Sequence, residues 1–454
     1  MRRTKQRKFE HIEETLIYLA SIAVGGVFLP LNSDYTDKEV AYFLGDAGPR
    51  LFICDDTRMA SLAAVAKDCG VDCVHSLHKD GLQGSWIDCC NHCDDDFTPV
   101  ARAPDDLAAL LYTSGTTGRA KGAMLTHNSL ASNAQTLCAY WHFTRDDVLI
   151  HALPIFHTHG LFVAINTLMC ASAAMILLPK FDADSILSVM EEATVMMGVP
   201  TFYTRLLAHK GLTPQRAQSM RLFISGSAPL LTDIHHAWHA RTGHAILERY
   251  GMTETNMIAS NPYAGERRAG FVGHPLPGVE VRIEDDEGGV LPTNEIGMIT
   301  VRGPNVFVGY WQMPEKTKTE LRDDGWFITG DNGYYDEKGY LAIIGRQKDL
   351  IISGGYNVYP KEVEDSINQI AGITESAVIG VPHSDFGEGV VAIIVQDGVE
   401  SLSSRDIMEA LRSQLAKYKL PKHYIFLEKL PRNTMGKVQK AYLRDTYQDL
   451  FQAE

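Results

Sequence analysis

The chain has 454 residues, 45% hydrophobic and 22% charged, an ordinary balance for a soluble globular protein too long for one core. A formal net charge of −14 argues against a nucleic-acid or other polyanion partner, because phosphate backbones are bound by basic surface. Eight cysteines in so long and acidic a chain read as reduced thiols rather than a disulfide framework.

The start, 1-MRRTKQRKFE-10, is basic but lacks the apolar stretch of a secretory signal. It reads as a solvated tail, or alternatively as a transit peptide. A cytoplasmic location is expected, with an organelle such as the mitochondrion open. A helix within 13-EETLIYLASIAVGGVFLPLNSDYT-36 and a strand at 51-LFIC-54 follow. Cys69, Cys73, Cys89, Cys90, His92 and Cys93 cluster next, but CCNHC is too compressed for a good zinc ligand pair, so a polar surface loop is expected. Short β-rich runs at 148-VLIHALP-154, 195-VMMGVP-200 and 221-RLFISGSAP-229 alternate with helical periods, which predicts α/β layering. Ligands of open parallel sheets sit at the carboxyl ends of strands, which places 225-SGSAPL-230 at a ligand edge. The apolar run 160-GLFVAINTLMCASAAMILLP-179 is long enough to raise the membrane question. Asn166, Thr167 and Ser172 interrupt it, so a buried helix followed by a strand is expected and no membrane span.

From about residue 280 the texture changes. The runs 279-VEVRI-283, 299-ITVRG-303 and 340-YLAIIGR-346 read as antiparallel strands. A helix at 360-PKEVEDSINQI-370, strands at 376-SAVIGV-381 and 390-VVAIIV-395, and a helix at 404-SRDIMEALRSQLA-416 complete the pattern. The expected architecture is a large domain over 1–346, of distorted α/β sheets plus a β-rich subdomain, and a small α+β domain over 347–454.

Four segments carry chemistry. In 112-YTSGTTGRAKGAMLTH-127, glycines that permit close backbone approach stand among hydroxyls and a lysine. Those are the parts of a phosphate cradle, although the Walker spacing is absent. The stretch 248-ERYGMTETN-256 supplies an aromatic ring, a hydroxyl and a carboxylate able to hold Mg²⁺ on phosphate oxygens. Asp331 and Arg346 offer an acceptor and a donor for ribose hydroxyls, and 431-PRNTMGKVQK-440 sets Lys437 after a flexible Met-Gly step.

These segments, in this order, resemble the adenylate-forming superfamily of acyl-CoA synthetases, luciferases and peptide-synthetase adenylation domains. The stretches 154-PIFHTHGLF-162, 221-RLFISGSAPL-230, 247-LERYGMTETNM-257 and 431-PRNTMGKVQK-440 are most similar to its malonate-activating branch. The resemblance implies a large N-terminal domain and a small, mobile C-terminal one. It also implies ATP-dependent ligation of malonate to coenzyme A through a malonyl-adenylate, with Mg²⁺ as cofactor. By the same resemblance Thr113, Ser114, Gly115, Thr116, Thr117, Gly118 and Lys121 handle the ATP phosphates. Gly226, Ser227, Ala228 and Tyr250 frame adenine, Gly251 belongs to the same ATP-binding set, and Asp331 and Arg346 hold the ribose. Thr253 contacts the α-phosphate and Glu254 binds Mg²⁺. Lys437 reaches the charge that builds between carboxylate and α-phosphate, a contribution of about 3–4 kcal/mol for one well-placed group. Lys348 takes the hinge position, and Ser353, Gly354 and Gly355 line the channel for the CoA arm.

The acid is argued from Arg249, which lines the acyl pocket in this superfamily. A buried guanidinium is costly unless it meets an anion, and a second substrate carboxylate satisfies it by bidentate pairing. His157, Thr158, His159 and Met252 make the rest of a small, polar wall. The competing reading is an internal pair between Arg249 and Glu248 with a small monocarboxylate as substrate. Methylmalonate differs from malonate by one methyl and is an expected secondary substrate. Another short-chain acyl-CoA synthetase, a carrier-loading adenylation module and a truncated inactive nucleotide-binding form stay open as alternatives. The last follows from how little sequence precedes the first helix, since the superfamily carries more there.

Overall fold

The computed structural model describes residues 12–93, 96–113, 120–398, 402–412, 414–433 and 436–451. Its centre is a seven-stranded sheet in the order His274–Pro275, Asn256–Ser260, Leu247–Met252, Leu222–Ser225, Val195–Gly198, Val148–His151, Ala174–Leu177. The last five are mutually parallel, and Asn256–Ser260 and His274–Pro275 add an antiparallel edge. Val195–Gly198 and Leu222–Ser225 are buried at every position, as expected of parallel strands covered on both faces. Helices His127–Tyr140 and Pro200–Ala208 pack on this sheet through Leu137, Trp141, Tyr203 and Leu206. Thr126 caps the first with a reciprocal box through Ser129, and Pro200 opens the second at a position where its missing N–H costs nothing.

The run at 160–179 folds as expected: a helix, then the strand Ala174–Leu177. Its first part, His159–Ile165, is a π-helical stretch with every residue buried, continued by the α-helical Asn166–Ala171. Gly160 is required there, since a Cβ would collide with the carbonyl of Pro154. No helix among the described residues is long and apolar enough to cross a membrane.

Strands Leu107–Thr113 and Lys121–Thr126 form an antiparallel hairpin, with Thr113 opposite Lys121. The Gly/Thr-rich stretch therefore joins two strands of a hairpin, whereas a Walker loop leads from strand to helix. Residues 307–311 run beside this hairpin: Met124 N–H donates to Gly309 O at 3.0 Å and Trp311 N–H to Gly122 O at 2.7 Å.

Strands Glu280–Glu284, Gly297–Arg302, Phe327–Tyr335 and Leu341–Arg346 form an antiparallel meander. Beyond Arg346 the chain enters a separate sheet built on the long pair Ile373–His383 and Gly387–Gln396. Helices Pro360–Asn368 and Ser404–Leu411 bury Val363, Ile367, Ile407 and Leu411 against it. The second helix is shorter than the expected 404–416, and Leu415 reaches the same core from beyond its end. A hairpin of Ile351–Ser353 and Tyr356–Val358, turning on Gly354 and Gly355 at φ +60° and +82°, was not anticipated.

The cysteine cluster departs from the expected loop. Cys73 begins the strand Cys73–Leu77, while Cys89 and Cys90 end the short helix Ser85–Cys90. All eight thiols are free.

Candidate active site

The site forms where the parallel strands end and the antiparallel edge begins. Strand Leu222–Ser225 delivers Gly226, Ser227 and Ala228 at its carboxyl end, and the neighbouring Leu247–Met252 carries Arg249, Tyr250, Gly251 and Met252. Alternation along that strand puts Arg249 and Tyr250 on opposite faces. Arg249 turns toward Gly226: a Cβ there would stand 2.6 Å from its Nε and Nη1, so only glycine admits the guanidinium. Ser227, at φ +72°, shares a hydrogen bond with His159 Nδ1 at 3.2 Å.

Arg249 is 4% exposed, and its Nε and Nη2 find no hydrogen-bond partner among the described residues. Burial lowers its pKa from 12.5 to about 9, with Tyr203 acting in the opposite sense, so it stays cationic at pH 7. The expected alternative pairing with Glu248 does not form. Glu248 faces the other side, where it meets buried His235 at 3.5 Å and accepts from Gly270 N–H at 3.3 Å. In the stretch 157–159, Thr158 Oγ1, His157 Nε2 and His159 Nε2 are likewise buried without partners among the described residues, and His159 senses the Arg249 charge. Orphaned polar atoms are rare in interiors, and so many at one place mark the seat of a polar ligand. Ser225 Oγ is also without a partner among the described residues, but Ser225 pairs in register with Glu248 and so points to the face opposite Arg249. Burial, then Lys437, lowers the pKa of His157 to about 4; burial, then Arg249, holds His159 well below its usual range. Both rings are neutral at pH 7. Met252 packs against the core of Phe162, Ile165 and Phe307.

The turn between Leu247–Met252 and Asn256–Ser260 carries Thr253, partly buried, and Glu254, 5% exposed. Glu254 Oε1 accepts from Tyr310 Oη at 2.9 Å, and burial raises its pKa against that bond and nearby Lys121. Asp331 and Arg346 face each other across the antiparallel ladder, with Nε 2.6 Å from Oδ1. Tyr250 Oη donates to the other oxygen of Asp331. Burial raises the Asp331 pKa despite Arg346 and Tyr250. Carboxylates shifted upward by burial beside specific charge partners are candidates for a functional site.

Lys437 arrives from the small sheet's side of the molecule. It keeps solvent-accessible surface, yet Gly436 lies against Thr201 and Lys437 senses Arg346, Asp331, Arg249 and Glu254 together. Crowding and desolvation lower its pKa, with the Arg346 charge the next cause. Lys121, 12% exposed, stands 3.3 Å from Glu320 Oε2 and 3.2 Å from Tyr310 Oη. Tyr310 and Glu320 were not anticipated, because only the pairing of 307–311 with the hairpin brings them to Lys121 and Glu254. Ser114, Gly115, Thr116, Thr117 and Gly118 lie outside the described residues. Lys348 is exposed in the short turn Gln347–Asp349, Ser353 is buried, and Gly354 and Gly355 are exposed a few residues beyond Arg346 in the chain.

A parallel sheet that ends on glycine beside a buried, unpartnered guanidinium, with two buried carboxylates and two lysines on the same side, matches the arrangement expected of the adenylate-forming class. The chain belongs to the AMP-binding enzyme family: residues 10–311 match that family and residues 362–437 its C-terminal domain. It is 36% identical to a malonate–CoA ligase of Arabidopsis thaliana, over 94% of this chain and 74% of that one. It is 37% identical to a mitochondrial malonate–CoA ligase of Mus musculus, over 93% and 78%. The crystal structure of ATP-bound MatB from Rhodopseudomonas palustris superposes with a TM-score of 0.95 at 57% identity, over 98% of this chain and 88% of that one. The apo form of that protein, equally identical over 97% and 88%, gives 0.83.

Proposed function

We propose that this protein is an ATP-dependent malonate–CoA ligase. The observation that carries the reading is the buried, unpartnered guanidinium of Arg249. A monocarboxylate leaves it orphaned, whereas the distal carboxylate of malonate pairs with it, beside the unpartnered hydroxyl of Thr158. The proximal carboxylate is then left for the α-phosphorus of ATP, on the side where Lys437 stands. Methylmalonate, one methyl larger, is a secondary substrate, since a pocket separates such pairs by only about 1–3 kcal/mol.

In the first half-reaction a malonate oxygen attacks the α-phosphorus, the Pα–O–Pβ bond breaks, and pyrophosphate leaves. Lys437 and Thr253 oppose the charge growing between carboxylate and phosphate. Asp331 and Arg346 hold the ribose hydroxyls, Tyr250 with Gly226, Ser227, Ala228 and Gly251 frames the adenine, and Lys121 with residues 113–118 cradles the outer phosphates. Mg²⁺ fits at Glu254, a buried carboxylate whose raised pKa a divalent cation would reverse; when bound it neutralises phosphate charge. In the second half-reaction the CoA thiolate attacks the acyl carbon, the bond to phosphate oxygen breaks, and AMP leaves. The thiol proton passes to solvent. Residues 347–454 act as the mobile domain, turning at Lys348 and offering Ser353, Gly354 and Gly355 to the pantetheine arm. Exposed Tyr356 and Phe386 beside that turn support an organic ligand running past it. Eight free thiols support a reducing compartment, cytoplasmic or organellar.

ATP–pyrophosphate exchange tests the first half directly. Malonate-dependent exchange is expected, reduced by about 10²–10³ in Lys437→Ala, while thioester formation from supplied malonyl-adenylate survives that change. Exchange with propionate but not malonate would overturn the substrate. Thioester formed on a carrier protein but not on free CoA would make the protein a loading module.

A further inference from the structure

Lys121 is held by residues outside every motif that suggested the function. The segment 307–311 runs along Lys121–Thr126, with Tyr310 bridged to Ala123. Its far end is tied to the catalytic turn, where Phe307 N–H donates to Glu254 O at 2.7 Å. This seats the Tyr310 ring under the Lys121 ammonium, 4.2 Å from its centroid. The chain then turns into the helix Pro314–Glu320, with Thr317 Oγ1 accepting from Tyr310 N–H at 2.9 Å. That helix ends on Glu320, whose Oε2 lies 3.3 Å from Lys121 Nζ and 2.6 Å from Tyr310 Oη. Lys316 holds the other oxygen at 2.6 Å.

The ammonium has three N–H groups. Among the described residues Tyr310 Oη and Glu320 Oε2 take two of them, which leaves one for a ligand. Tyr310 has one proton, yet its oxygen lies within hydrogen-bond distance of both Glu254 and Glu320. The phenol therefore couples the metal-binding carboxylate to the lysine's counter-ion.

We propose that Glu320 is a positioning residue for ATP: with Tyr310 it clamps the Lys121 ammonium so that its remaining N–H is presented to the triphosphate. The proposal rests on the reading of Lys121 as a phosphate ligand. A flexible four-carbon side chain loses rotamer freedom when it binds, and a clamp that has already removed that freedom strengthens binding. Lys316 keeps the clamp from swinging away. Glu320 acts through Lys121 and touches neither acid nor nucleotide.

The test is a double-mutant cycle in the malonate-dependent pyrophosphate-release assay. Glu320→Leu is expected to raise the KM for ATP about tenfold, with kcat and the KM for malonate within about twofold, as for loss of one charge-assisted hydrogen bond. The isosteric Glu320→Gln, which preserves shape if the leucine variant does not fold, is expected to raise it about threefold. In a Lys121→Met background either change should add nothing. An unchanged or lowered KM for ATP in the Glu320 variants overturns the proposal, and so does a rise that persists without Lys121. If Lys121→Met itself leaves the KM for ATP unchanged, the phosphate role of Lys121 fails instead.

Discussion

Replacing Arg249 by methionine separates the diacid pocket from the nucleotide site. The guanidinium is 4% exposed, and desolvation lowers its pKa from 12.5 to about 9. At 1.36 kcal/mol per pH unit that fall represents ~5 kcal/mol of unfavourable burial carried by the empty enzyme. A bound carboxylate offsets much of it, and deleting one partner of such a pair costs about 3–5 kcal/mol. The kcat/KM for malonate, measured by pyrophosphate release, should therefore fall by about 10²–10³ in Arg249→Met. ATP affinity should hold, because Asp331 and Arg346 lie on other strands and Glu254 lies in the turn beyond Met252. The kcat/KM for propionate should not fall, since a monocarboxylate never used the guanidinium. Thermal unfolding of the ligand-free variant should not shift downward either, because methionine removes an uncompensated charge from the interior. Unchanged malonate kinetics would refute the reasoning. A parallel loss for propionate would refute it too, by showing that Arg249 maintains the shape of the site and does not bind the second carboxylate.

The same pocket gives a steric counterpart. In Gly226→Ala the new Cβ would collide with Cζ of Arg249, so the KM for malonate should rise more than tenfold in the same assay, while the fold persists by circular dichroism. Acid stability should report the buried imidazole of His157, whose pKa falls from 6.5 to about 4 through burial and then Lys437. Above pH 6.5 the ring is neutral folded and unfolded, so it has no effect on stability there. Between pH 6.5 and 4 the unfolded chain takes a proton that the folded chain refuses, which removes about 3 kcal/mol as pH falls. Urea midpoints measured across that window should decline less steeply in His157→Gln than in the parent.

The strands at 148–151, 195–198 and 222–225 were legible because buried parallel strands read as short apolar runs that stop at Gly, Pro or a turn residue, and the half-exposed strand at 51–54 carries the same short apolar run. Helix Pro360–Asn368 was legible from its opening proline and apolar spacing. The hairpin on Gly354 and Gly355 was not, since strands of three residues carry too little pattern to separate from a loop. Arg249 was singled out by resemblance, but its orphaned state could be established only by finding Glu248 engaged with His235 on the opposite face.

By itself the order of residues determined the local vocabulary: which runs become strands, where glycine must allow close approach, and which short stretches hold donors, acceptors and charge. These follow from propensity and periodicity, which act over a few neighbouring positions. Only the folded molecule decided who meets whom. Tyr310 and Glu320 reach Lys121 across some 190 residues because a segment without strand character pairs with the hairpin. Asp331 meets Arg346 through ladder register, and Arg249 is left without an acid because strand alternation turns Glu248 away. Those are long-range consequences of packing and register, where a one-residue slip would reverse every face.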